Sequence, residues 1–176
     1  WIDAHVNLNL LGWTIPTSWF NSIDRFVSIV FVPVLISLWG WQDRHGGVPS
    51  EVMKISQGAF MAATANFLLV IGCLLSAHVP AIFPVLYDVL LGIAFLYYWP
   101  PLLALVSRAA PTGFKATLIG AAFLGLFVGN ILVGWVGTYY EHMTPANFWA
   151  LEGDIAVIGG VAAWMLAKPL HRVLAS

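Results

Sequence analysis

The side chains that could do chemistry in this sequence are few and widely spaced. Two amides, Asn66 and Asn130, lie deep inside long apolar runs. An amide away from water needs a hydrogen-bond partner, although in lipid such a pair contributes only about 0.6 kcal/mol. For Asn130 the plain reading is helix packing, and a direct contact to a ligand is the alternative. Asp24, Asp88, Glu152 and Asp154 each fall a turn or two inside an apolar run. A charge at mid-bilayer costs at least about 2.5 kcal/mol and commonly marks an ion or substrate path. None of these acids is central, so they either reach water or pair with Arg25, or they face an outward cavity. His5, His45, His78, His142 and His171 all sit at or beyond helix ends, which argues against an imidazole holding haem or chlorophyll inside a bundle. There is no cluster with metal-ligand spacing, no phosphate loop and no Ser/His/Asp arrangement. No cofactor and no enzymatic activity are expected.

The elements that must position these residues follow from composition. The chain has 176 residues, 60% of them hydrophobic and 9% charged, and its mean hydropathy is +0.87. That balance belongs to an integral membrane protein. Cys73, the only cysteine, is embedded in an apolar run, so no disulfide framework is expected. The chain starts at Trp1, without Met or a signal peptide, and reads as a fragment or a processed chain.

The pattern predicts an all-α bundle of five transmembrane helices, over about 18–41, 51–77, 83–106, 115–139 and 145–167. Residues 1–17 are too polar to span and read as an extracytoplasmic, interfacial segment carrying Trp1 and Trp13. Ser50, and Thr144 followed by Pro145, are the expected N-caps of the second and fifth spans. Pro33 predicts a kink in the first span, and Pro100-Pro101 a kink or break in the third. Ala121, Gly125 and Gly129 recur four residues apart in the fourth span, with Gly134 beyond them. Small residues in a row let helix backbones approach closely, so this span reads as an inner helix. Gly58 and Ala62 form a similar pair in the second span, and Gln57 and Asn66 are expected to face other helices. If the spans alternate, Arg44, Lys54, Arg108, Lys115, Lys168 and Arg172 share one side, against Arg25 alone on the other. The positive-inside rule then puts the N-terminus outside and the C-terminus in the cytoplasm. Basic residues dispersed along one membrane face read as topology signals, so no nucleic-acid partner is expected.

Several local motifs resemble a known family. Ile15-Pro16-Thr17-Ser18-Trp19-Phe20, Ser107-Arg108 before Ala110-Pro111, Gly129-Asn130 with Gly134, and Pro169-Leu170 with Arg172 follow one another as in the C-terminal part of a proton-coupled oligopeptide transporter. That family lies in the major facilitator superfamily. The resemblance implies helices eight to twelve of such a transporter. It also implies changes at the site. Asp24-Arg25 stand where the family has Asn-Pro, Ala94-Phe95 where it has Gly-Glu, and Trp99-Pro100 where it has Ser-Pro. The family's glutamate is implicated in binding a peptide's amino end and in coupling; Phe95 cannot supply that charge. If transport persists, Asn130 and the segment from Tyr97 to Trp99 would line the path.

Two functions therefore stand as expectations. One is a transporter-derived membrane protein that no longer transports and serves as a structural or accessory subunit of a larger membrane complex. The other is the C-terminal part of a working di- or tripeptide symporter whose N-terminal half completes the path. The expected partners are the lipid bilayer, lipids at the helix interface, and other membrane subunits or that N-terminal half. The expected location is the inner membrane, if the source is a bacterium.

Overall fold

The structure, a computed structural model, describes residues 1–10, 13–111 and 113–174, with the backbone alone at 10, 13, 168 and 170–174. Five long helices carry the chain: α2 (Phe20–His45), α3 (Glu51–Leu75), α4 (Ile82–Ala109), α5 (Lys115–Gly137) and α6 (Pro145–Leu174), preceded by a single turn, α1 (Ile2–His5). At about 1.5 Å per residue, each long helix can cross a hydrocarbon core of about 30 Å. The expected all-α membrane bundle is the fold observed.

Local chemistry explains where the helices begin. Ser50 accepts a hydrogen bond from the Met53 N–H at 3.3 Å, capping α3. Thr144 Oγ1 accepts one from the Asn147 N–H at 3.4 Å, with Pro145 as the first helical residue. Between α2 and α3, Gly47 takes a φ of +93° and donates its N–H back to the Gln42 carbonyl at 3.0 Å. A side chain at that φ would strain the turn.

Helical structure continues past the prolines. α2 runs on through Pro33, and α4 through Pro100 and Pro101, without interruption. Neither helix breaks, because neighbouring turns and neighbouring helices hold the backbone on both sides of the missing donors.

The N-terminal segment forms two small ladders, one of which ties it to the bundle. Val6–Asn7 (β1) pairs in parallel with Val79–Pro80 (β4), which joins α3 to α4; Asn9–Leu10 (β2) pairs with Trp13–Thr14 (β3). Leu11, Gly12 and the Trp13 side chain lie outside the described residues.

α3 is the centre of the bundle, packed between α4 and α6, and α2 lies on α4. The α3–α6 contact repeats every seven residues. The Phe60 ring sits over Gly160 and the Phe67 ring over Gly153, each at a distance of 3.0–3.1 Å from where a Cβ would stand. Two rings seven apart on one helix and two glycines seven apart on its antiparallel neighbour make a matched seam. Beside it, the buried Ser56 hydroxyl donates to the Gly160 carbonyl at 2.7 Å. Gly58 faces α4, where a Cβ would stand 2.9 Å from the Ala94 carbonyl oxygen. Gly92 faces α2 more closely still: a Cβ there would stand 2.5 Å from the Asp24 carbonyl oxygen. Ser28 bridges the same crossing, 2.9 Å from the Gly92 carbonyl and 2.8 Å from that of Asp24.

Two packing expectations need correction. α5 is the outermost helix, with no buried residue. A Cβ added at Gly125, Gly129 or Gly134 would meet nothing within 4 Å, and Ala121 is exposed. The small-residue row is real, but no helix among the described residues covers it. Gln57 is exposed as well, although Asn66, four-residue neighbour of the half-buried Ala62, is buried. A row of small residues signals a surface fit for close packing; it does not say where the partner is.

Candidate functional site

Phe95 and Trp99 stand one turn apart on α4, so their side chains lie on one face. That face points away from the core. Phe95 is 50% exposed, and Trp99 meets Phe123 of α5 edge-on with ring centroids 5.1 Å apart. This ring pair is the aromatic contact that seats α5 on α4. Where the family resemblance implies a carboxylate, the structure therefore has an apolar aromatic surface. It offers no countercharge to an ammonium at that position.

Tyr97 belongs elsewhere. Two residues beyond Phe95 on the helix, it turns inward and is 7% exposed. It packs with Leu35 and Leu96 in the core and meets Trp39 of α2 edge-on at 5.7 Å. The structure thus separates Tyr97 from Phe95 and Trp99. Asn130 is exposed on α5. Of the four candidate path residues, only Phe95 and Trp99 come together.

Asn66 behaves differently from what its position predicts. Its Nδ2 donates to the Ala62 carbonyl of its own helix at 2.9 Å, not across to a neighbour. Its Oδ1 is buried without a hydrogen-bond partner. The polar link between helices falls instead to Ser56 and Ser28. Hydroxyls in an apolar run give no sequence signal of their direction.

Lys54 carries no signal of its role in the sequence. It counts there as one topology charge among six, yet it is 7% exposed. Its Nζ lies 3.4 Å from Glu51 Oε2 and 4.4 Å from the centroid of the Trp39 ring. Arg108, at the end of α4, reaches the other oxygen of Glu51 at 3.7 Å. These groups line a cleft of about 630 Å³ where the ends of α2 and α4 meet the start of α3, with Ala167 of α6 at its edge. Glu51 thus bridges two cations from two helices. The buried Lys54 ammonium depends on this pairing, whereas the Arg108 side chain is largely exposed and adds little. Among the described residues Arg25 joins no such pair; it donates to the Asn21 carbonyl at 3.3 Å. Among the same residues no group of His, Cys, Asp and Glu is arranged to hold a metal.

With this geometry in place, comparison with known proteins is informative. No family model matches the chain. It is 22% identical over 182 residues to a di-/tripeptide transporter of Lactococcus lactis subsp. cremoris, an alignment covering 99% of this chain and 36% of that protein. It is 25% identical over 174 residues to the peptide transporter YePEPT of Yersinia enterocolitica subsp. palearctica serotype O:3 (strain YE-P4), covering 94% of this chain and 34% of the relative. The crystal structure of the peptide transporter POT in complex with sulfate superposes on 97% of this chain and 35% of its own, with a TM-score of 0.86 and 22% identity. The chain therefore shares its fold with part of a peptide transporter and resembles this family in sequence. It spans about a third of the length of the curated relatives it matches, consistent with their C-terminal part.

Proposed function

We propose that this chain is a packing unit derived from a peptide transporter, whose α4 outer face does not recognise a peptide's amino end. The observation that carries this reading is that Phe95 lies half exposed on that face, one turn from Trp99, whose ring packs on Phe123. An aromatic surface in contact with α5 leaves no fixed negative charge for an ammonium to meet. The uncovered face of α5 completes the reading. Its small residues suit close helix contact, and the relatives have about two-thirds of their length beyond the part matched here. Membrane helices equivalent to that remaining length, within one polypeptide or in a partner subunit, would cover Ala121, Gly125 and Gly129.

The alternative is peptide–proton symport by such a completed bundle. End-to-end similarity to di-/tripeptide transporters favours it. One experiment separates the two. The polypeptide or complex that contains this chain and completes its bundle, purified into liposomes with an imposed proton gradient, is assayed for uptake of a labelled dipeptide. Uptake no greater than in empty liposomes is expected; gradient-dependent uptake above that level would establish symport and overturn the packing role.

The proposed location is a bacterial inner membrane, with the N-terminus outside and the C-terminus in the cytoplasm. Support comes from Arg44, Lys54, Arg108 and Lys115 near helix ends on one side. Lys168 and Arg172 follow on the same side in the sequence, but their side chains lie outside the described residues. In sealed inverted vesicles, added protease is expected to leave the segment 1–17 intact. Its cleavage there would reverse the orientation.

A further inference from the structure

At the opposite end of the bundle from Lys54, a second cavity of about 370 Å³ opens among three parts of the chain. The N-terminal segment supplies Trp1 and Asp3, the early turns of α2 and α4 supply Asn21, Tyr87 and Asp88, and α6 supplies Trp149. The pairing of Val6–Asn7 with Val79–Pro80 holds the N-terminal segment over the start of α4. Three aromatic rings meet at steep angles. Trp1 and Trp149 have centroids 5.3 Å apart at 80°, and Tyr87 and Trp149 5.6 Å apart at 61°. Steeply inclined rings form walls, not a stack.

The polar atoms around these walls are unmatched. Among the described residues, Asp88 Oδ2 is buried with no donor, and the indole nitrogens of Trp1 and Trp149 are buried with no acceptor. All three residues line this one cavity, and neither Lys nor Arg lines it. Buried polar groups are normally paired, and an exception calls for a missing partner. The missing partner has a defined chemistry. It must donate N–H to a carboxylate, present positive charge to aromatic faces, and offer an oxygen to an indole N–H.

We propose that this cavity binds a primary ammonium carrying an oxygen a few atoms away, an aminoethoxy unit in which two methylene carbons join the ammonium nitrogen to the oxygen. The ammonium sits among the rings of Trp1, Tyr87 and Trp149 and donates to Asp88; the oxygen accepts from the indoles. A quaternary ammonium has no N–H for Asp88 and binds less well. No Lys or Arg lines the cavity to hold an anion. The site lies at a helix end, where both a lipid headgroup and a soluble amine can reach it. It lies about two turns before Phe95 on α4, so it is separate from the aromatic α4–α5 contact.

The test uses the purified protein in nanodiscs of phosphatidylcholine and phosphatidylglycerol, read by tryptophan fluorescence and by thermal unfolding. Ethanolamine and O-phosphoethanolamine are titrated in, with choline as the quaternary control. Saturable binding is expected, with choline weaker by about tenfold because it cannot donate to Asp88. Asp88→Asn should weaken ethanolamine binding by about tenfold, and Trp149→Phe, which keeps a ring and loses the N–H, by a few-fold, about 1 kcal/mol converted. Trp149→Phe serves alone if Asp88→Asn fails to fold. A rise in unfolding temperature in nanodiscs containing phosphatidylethanolamine, lost in either variant, identifies the lipid headgroup as the source. Saturation by free ethanolamine with no such rise identifies a soluble amine. Absence of saturation by both amines together with no response to phosphatidylethanolamine, or binding unchanged in a folded variant, overturns the site.

Discussion

Single residues set the closest approaches in this molecule, and they are the most exposed to substitution. Gly92 is the tightest point, because the Asp24 carbonyl occupies the place a Cβ would need. Backbone cannot move aside as a flexible side chain can. Gly92→Ala should therefore destabilise the α2–α4 crossing by about 1–3 kcal/mol, measured by thermal unfolding in detergent, whereas Gly125→Ala, in open space, should be neutral to stabilising by up to about 1 kcal/mol. Equal effects at the two positions would mean that α5 is packed as closely as α2. Lys54 makes a second residue-level case. With its ammonium enclosed by Glu51 and Trp39, removing the carboxylate leaves a buried charge with only a ring for company. Glu51→Gln should cost about 3 kcal/mol, more than Glu141→Gln on the exposed turn after α5. Chemical or thermal denaturation of the two variants compares them directly. The Lys54 environment was invisible in sequence, since a lysine four residues into a helix looks the same whether it faces water or a tryptophan on another helix.

At the scale of the element, α3 and α5 reverse the roles their sequences suggest. Both are apolar with rows of small residues. In α3 these meet Tyr97, Phe83 and the backbone of α4, and Phe60 and Phe67 of the same helix fit onto glycines of α6. Phe67→Ala should lose about 3 kcal/mol, and Phe60→Ala, whose ring is 38% exposed, less, about 1–2 kcal/mol. By contrast, Ser56→Ala should lose only about 0.6 kcal/mol although its hydrogen bond is short, because a hydroxyl in lipid finds other partners when unfolded. A larger loss at Ser56 than at Phe60 in denaturant titrations would reverse this ranking. Helix existence, the Ser50 cap and the Thr144-Pro145 start were legible from the sequence, since capping chemistry is local. The continuity of α4 through Pro100-Pro101 was not, since it depends on the neighbours that support the missing hydrogen bonds.

For the whole molecule, the central consequence is the bare face of α5. A cysteine placed at Gly125 or Gly129, in a Cys73→Ser background, should form disulfide or bismaleimide cross-links to another membrane helix in native membranes, seen as a gel shift. A cysteine at Gly160, under the Phe60 ring, should not. Failure of the α5 positions to cross-link, with full access to a lipid-soluble thiol reagent, would mean that α5 faces lipid. The candidate path residues illustrate the same dependence on scale. Phe95, Tyr97 and Trp99 were one aromatic stretch in sequence; folding divided them, with Tyr97 in the core, Trp99 against Phe123 of α5 and Phe95 half exposed beside it.

The sequence by itself determined the membrane class, the helical fold and, through the order of its motifs, the likeness to peptide transporters. These rest on properties that add along the chain: apolar length against bilayer thickness, capping residues beside the helices they cap, and charges counted at helix ends. Only the tertiary structure decided which helix is central, which small residues meet a backbone, where Lys54 is paired, and that Trp1, Asp88 and Trp149 enclose one cavity. Those facts join residues far apart in the chain. In an almost uniformly apolar sequence the solvent-facing polarity that normally marks a helix's outer side is missing, so packing partners are set by shape, and shape appears only in three dimensions.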